Sequence, residues 1–261
     1  MVRSLYTTAD DFGMDSGIDD GIIKCVETGS VKNVSICFEN PDSALDPKRF
    51  EVLKSVSIGL HFNLFPPDVD INRPKDWNYT RFLFFPNPEM IREKMDLLDS
   101  AFSKLAEKGL ICHFINGHQH IHLFPGWVKP LSKWALRHQI GTMRKPSELG
   151  KNSLSRKIRR PALFVMEFLG FLGERISRKY DLEWIPAICR WGGNFPWENL
   201  LSDLSDVSEN KIEVVLHPGF PTVDYMKKTF SPIDYPAQMK QLVDKNLIFK
   251  TQRAGFSLEA F

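Results

Sequence analysis

Three of the chain's seven histidines, His118, His120 and His122, fall within the stretch NGHQHIHLFPG (116–126). A spacing of two is the strand period, so on a strand all three would share one face, whereas a helix would spread them around most of its circumference. The β-prone run ICHF (111–114) precedes them and FPG (124–126) punctuates the chain behind them. We therefore expect a strand that runs out near His118 and a loop that displays the other two. Imidazoles crowded beside a bend suit metal ligation or proton transfer.

Three further β-prone runs also end in residues with ligand chemistry. The first ends in ADD at Asp10 and Asp11, another in GLH at His61, and a late one in LHPG at His217. Parallel neighbouring strands would bring these ends together on one face. One carboxylate and two imidazoles make a facial site for a divalent ion, with positions left for water and substrate. Adjacent Asp10 and Asp11 would point different ways, so that one binds the ion and the other faces the water activated there as general base. His217, from a different strand, would approach from the other side as general acid.

The elements that must carry these groups alternate. Strands are expected at 3–10, 31–38, 56–65, near 111–118, 140–144, 181–188, 211–217 and 247–251. Helices are expected from Asp15 or Ser16 to Gly29, at 43–54, 89–109, 127–139 and 237–245, with a long aromatic and proline-rich loop at 66–88. Repeated β-then-α units predict one α/β domain over 1–261: an irregular (β/α) barrel with mainly parallel strands and a helical insertion around 151–180. In such barrels the chemistry sits where strands end.

Composition narrows the setting. A net charge of +2 is too weak to argue for nucleic acid as a partner. Cys25, Cys37, Cys112 and Cys189 form no CxxC pair and suit a reducing, cytoplasmic compartment. No apolar run reaches the roughly 20 residues of a membrane span. The segment 156–180 holds an apolar block between basic flanks, with seven Lys and Arg against two Asp and Glu. It reads either as an ordinary helix with a solvated basic edge or as an interfacial helix that touches anionic lipid or a partner.

Taken in order, TADDFG (8–13), GLHFNL (59–64), NGHQHIHLFPG and LHPGF (216–220) resemble the motifs of the YdjC-like carbohydrate deacetylases, which include chitooligosaccharide deacetylases acting on N-acetylglucosamine disaccharides. The resemblance implies a barrel related to polysaccharide deacetylases. It also implies Asp11, His61 and His118 as ligands of one divalent metal ion, Asp10 as base and His217 as acid. Magnesium is the metal usually described for relatives, although zinc, manganese or cobalt would suit Asp–His–His ligation at least as well. Asn116 stands where the family often has Asp.

Beside these, His120, His122, Asn116 and Arg144 are expected to contact substrate, with Trp77, Trp191 and Asn194 as further sugar-binding candidates. The expected reaction is removal of acetyl from an N-acetylated sugar or glycan, free or lipid-linked, by a chain that is monomeric or homo-oligomeric. Two rivals share the residue types. A phosphoesterase would aim Arg144 and Lys145 at a phosphate. A non-catalytic carbohydrate-binding protein would need neither Asp10 nor His217.

Overall fold

The computed structural model describes residues 2–64, 77–150, 162–189, 196–229 and 233–261. Seven parallel strands close into a barrel: β1 (Arg3–Phe12), β2 (Asn33–Cys37), β3 (Ser57–Phe62), β4 (Cys112–Gly117), β5 (Thr142–Pro146), β6 (Glu183–Ile188) and β7 (Lys211–Leu216). β1 pairs with β7 through Ser4–Ala9 and with β2 through Thr8–Phe12, which completes the ring. The short β8 (Phe256–Leu258) adds to the foot of β1, parallel to it.

Alternation along the strands sorts two environments. Leu5, Ala9, Val34, Ile36, Ile58, Leu60, Ile115, Met143, Ile212 and Val214 belong to the apolar cluster shared with the surrounding helices. The interleaved residues Asp10, Ser35, His61, Asn116, Arg144 and Glu213 hydrogen-bond to one another inside the barrel. Near the foot, the Phe261 ring stacks on Tyr6 and lies against Phe114, with ring centroids 4.5 and 4.8 Å away. Gly59 is required there, because a Cβ on it would overlap the Phe114 ring.

The helices are α1 (Ser16–Glu27), α2 (Pro47–Leu53), α3 (Trp77–Phe84), α4 (Pro88–Glu107), α5 (Pro125–Arg137), α6 (Ala162–Ser177), α7 (Trp197–Asp203), α8 (Val223–Thr229), α9 (Tyr235–Leu242) and α10 (Leu247–Arg253). Asp15 caps α1 by accepting from the Gly17 and Ile18 amides, and Gly29 behind it is left-handed at φ 77°. Helix α3 lies inside the stretch expected to be loop. The expected helix 43–54 is a 3-10 turn, Pro41–Leu45, followed by α2.

The expected last strand, 247–251, is a correction: these residues form α10. Their apolar run is too short to reveal its period, and it continues into residues that complete a helix before left-handed Gly255. Leu247 and Thr251, four apart, are its buried residues, and the Thr251 hydroxyl accepts from Trp197 Nε1 at 2.9 Å. Of the insertion expected around 151–180, residues 162–177 form the helix between β5 and β6, and 151–161 lie outside the described residues. No helix among the described residues is long and apolar enough to cross a membrane.

Candidate metal and catalytic centre

β1 carries both aspartates inward by an irregularity. Its pairing with β2 steps from Ala9↔Val34 to Phe12↔Ile36, three residues against two. The extra residue lies at Asp10–Asp11, and Asp11 takes a left-handed φ of 70°. Regular alternation would send one of the two outward; both are instead buried. The turn behind them is held by Asp19, which accepts from the Gly13 amide at 2.6 Å and from Arg49 at 2.7 Å.

Asp11, His61 and His118, from β1, β3 and the residue after β4, present ligand atoms all within 4.8 Å of one another. Asp11 Oδ1 lies 3.2 Å from His61 Nε2 and 3.0 Å from His118 Nδ1. His118 opens a 3-10 segment, His118–Leu123, whose Gln119 and His120 are both left-handed, at φ 47° and 60°. Consecutive left-handed residues other than glycine store strain, as at many functional sites.

The hydrogen bonds below the cluster place a proton on Nδ1 of His61. Asp10 can only accept, so Asn116 presents Nδ2 to it, at 3.1 Å. Asn116 Oδ1 therefore faces His61 Nδ1 at 2.7 Å, and also accepts from Ser35 Oγ at 2.6 Å. Neutral His61 thus carries its proton on Nδ1. In that neutral form Nε2 is a buried lone pair aimed at a carboxylate oxygen 3.2 Å away, a gap that a proton or a metal ion fills. Two lone pairs facing each other call for a cation between them. The donor set, one carboxylate and two imidazoles, fits a divalent ion.

Electrostatics separate the two aspartates. Burial works to raise the Asp10 pKa, but Arg144, and then His61, outweigh it and hold the carboxyl at about 2. Arg144 reaches both Asp10 oxygens, and its other edge binds Glu213 at 2.7 Å. For Asp11, burial is opposed by His118 and then His61, and the carboxyl stays well below the usual range. The His61 pKa is raised, since Asp10 and Asp11 overcome its burial.

His217 follows β7, the strand flanking β1 on the side away from β2. Its Nε2 lies 4.0 Å from Asp11 Oδ2, and it is not among the three clustered ligands. Burial depresses its pKa, against the pull of Asp11. The loop behind it is gripped by α1: Phe220 N–H donates to Gly17 O at 2.8 Å, and Asp15 accepts from the Thr222 hydroxyl at 2.6 Å. Gln238 on α9 accepts from the His217 amide at 2.9 Å.

The remaining candidates sit deeper than expected. Asn116, His122 and Arg144 are buried, Asn116 under His61 and Arg144 between two carboxylates. His122 faces the Arg144 carbonyl at 3.0 Å, and burial pushes its pKa down to about 3. His120 is buried, with its pKa well below the ordinary value through burial and then Arg144. Trp191, Asn194 and the Trp77 side chain lie outside the described residues. Glu213, Ser35 and Gln238 were not foreseen; only Glu213 left a signal, an acid alternating with apolar residues in KIEVVL.

Fold and site together define a closed parallel β/α barrel with a two-histidine, one-carboxylate cluster at the carboxyl ends of its strands. The chain belongs to the YdjC-like family, whose model matches residues 4–253. Among its relatives, a carbohydrate deacetylase of Xenopus laevis is 25% identical over 84% of this chain and 82% of its own length. A carbohydrate deacetylase of Mus musculus is 25% identical over 84% and 79%. Among solved structures, a protein of Enterococcus faecalis V583, whose description proposes cleavage of a cellobiose phosphate, superposes with a TM-score of 0.67. It is 14% identical and covers 100% of this chain and 98% of its own. An uncharacterised protein of Agrobacterium tumefaciens C58 gives a TM-score of 0.54 at 10% identity, over 99% and 87%. At these identities the two structures speak for the fold alone.

Proposed function

We propose that this chain, acting as one barrel domain over 1–261, is a metal-dependent carbohydrate N-deacetylase. The observation that carries the reading is the bare, buried Nε2 of His61 set against Asp11 and beside His118. The relatives named carbohydrate deacetylase support the substrate class. Asp11, His61 and His118 would hold a divalent ion, whose part is to polarise the amide carbonyl and make water more acidic.

Asp10, ionised at neutral pH and oriented by Arg144, takes the proton of the attacking water. His217, arriving from the β7 side, gives a proton to the amine as the carbon–nitrogen bond breaks, and acetate leaves. Asn116, His122 and Arg144 work beneath the sugar, holding Asp10, His61 and the histidine segment in place. His120 is left as the candidate closest to substrate.

A phosphoesterase would need a free basic clamp. Arg144 is committed to Asp10 and Glu213, and Lys145 pairs with Glu174 at 2.7 Å. A mere binding protein would gain nothing from burying Asp10 against Arg144. The four cysteines are all buried and free, which suits the reducing cytoplasm in which we place the chain. The test is acetate release from a panel of N-acetylated sugars and glycans by metal-reconstituted protein. Wild type should release acetate from at least one of them, and Asp10→Asn should fall by about 10²-fold or more while keeping its fold. Equal rates would place the base elsewhere.

A further inference from the structure

We propose that the outer face of α6 seats on an anionic lipid surface. The helix exposes four large apolar side chains: Phe164 at 45%, Val165 at 57%, Phe168 at 63% and Phe171 at 54%. Phe164, Phe168, Phe171 and Arg175 follow one another at i, i+4, i+7 and i+11, so they share one side of the helix. Leu169, Gly170, Gly173 and Ser177 are buried on the opposite side. A contiguous aromatic stripe of this kind marks an interaction surface rather than ordinary surface scatter.

Charge decides the occupant. Arg175, in the last turn of the helix, and Arg178 and Lys179 just behind it are exposed. The two acids of α6 are engaged by groups next to the barrel. Glu174 pairs with Lys145 at 2.7 Å, and Glu167 accepts from the Glu148 amide at 2.8 Å. The stripe is therefore apolar along its length and basic at its C-terminal end. Against a second copy of this helix, parallel packing would bring basic end to basic end. One stripe is also small beside the roughly 800 Å² per partner of a stable protein interface. An anionic bilayer complements Arg175, Arg178 and Lys179 while the aromatic rings enter the boundary between headgroups and acyl chains.

Helix α6 packs against β5 and against the segment His118–Leu123. Docking would therefore bring the histidine segment close to the lipid surface. Resting on the proposed deacetylase reading, an N-acetylated sugar on a lipid anchor would be the natural substrate there. Docking itself is testable without any activity.

The experiment is vesicle sedimentation of the full chain with phosphatidylcholine alone or with about a third phosphatidylglycerol, at low and high salt. Wild type should pellet with the anionic vesicles at low salt, be released at high salt, and stay largely in solution with phosphatidylcholine. Phe168→Asp, at an exposed position, should reduce retention about tenfold or more with an unchanged thermal transition. The triple reversal Arg175→Glu, Arg178→Glu and Lys179→Glu should do the same, and it serves if the first variant fails to fold. No retention of wild type at any salt would overturn the proposal, as would equal retention of both variants. A wild-type dimer in sedimentation velocity that Phe168→Asp converts to monomer would overturn it in favour of self-association.

Discussion

At the scale of single residues, the site depends on a directed chain of hydrogen bonds: Arg144 to Asp10, Asn116 to Asp10, and His61 to Asn116. Each link fixes the next, and the last leaves His61 Nε2 free for an ion. An amide at position 116 suits this chain of bonds. A second carboxylate would face Asp10 across 3.1 Å, where the amide now donates. Asn116→Ala should therefore lower divalent-ion affinity by about 10–100-fold with little change in fold, read by equilibrium titration of the ion. His217 makes a separate claim. Its depressed pKa puts loss of its proton below the usual histidine range, so the alkaline limb of the rate profile should be shifted toward acid. His217→Ala should remove that limb and hurt poor leaving groups more than good ones. If both lose rate equally, His217 binds or orients instead of donating a proton.

At the scale of elements, much of the site was legible because four strands end in ligand-type residues. Asp10–Asp11, His61, His118 and His217 do lie at the ends of β1, β3, β4 and β7. The bulge was not legible. Two adjacent aspartates on a strand should diverge, and only the register against β2 shows the extra residue that turns both inward. Helices α7 and α8, seven residues each, offer too few turns for a period to show, and the same shortness makes α10 read as a strand. The grip of α1 on the loop behind His217 depends on glycine. A Cβ on Gly21 would overlap the backbone of Gly219. Gly21→Ala should push the loop away and cost about 10²-fold in turnover, well beyond its effect on stability. A fall in thermal stability with full activity would show that the loop tolerates displacement.

At the scale of the whole molecule, the fold places charge inside its barrel and apolar side chains between barrel and helices. One group at the rim is held at a cost. Glu39, just after β2, has both carboxylate oxygens buried without a hydrogen-bond partner, and Lys94 approaches only to 4.0 Å. Burial pushes its pKa up from 4.5 to about 7. A folded-state value above the unfolded one favours folding fully below pH 4.5, and that contribution is lost as pH rises through about 7. Glu39→Gln should thus raise Tm by about 3 °C or more at pH 8 and much less at pH 5. An equal change at both pH values would show that the carboxylate is not penalised.

In the proposed reaction, one ion held by Asp11, His61 and His118 would make this barrel a deacetylase. The most direct test is acetate release from an accepted N-acetylated glycan while chelator-stripped protein is titrated with zinc, manganese, cobalt or magnesium. Release from the stripped protein should be negligible, with recovery that saturates near one ion per chain and is absent in His61→Ala. Undiminished release by the stripped protein, or full recovery in His61→Ala, would contradict it.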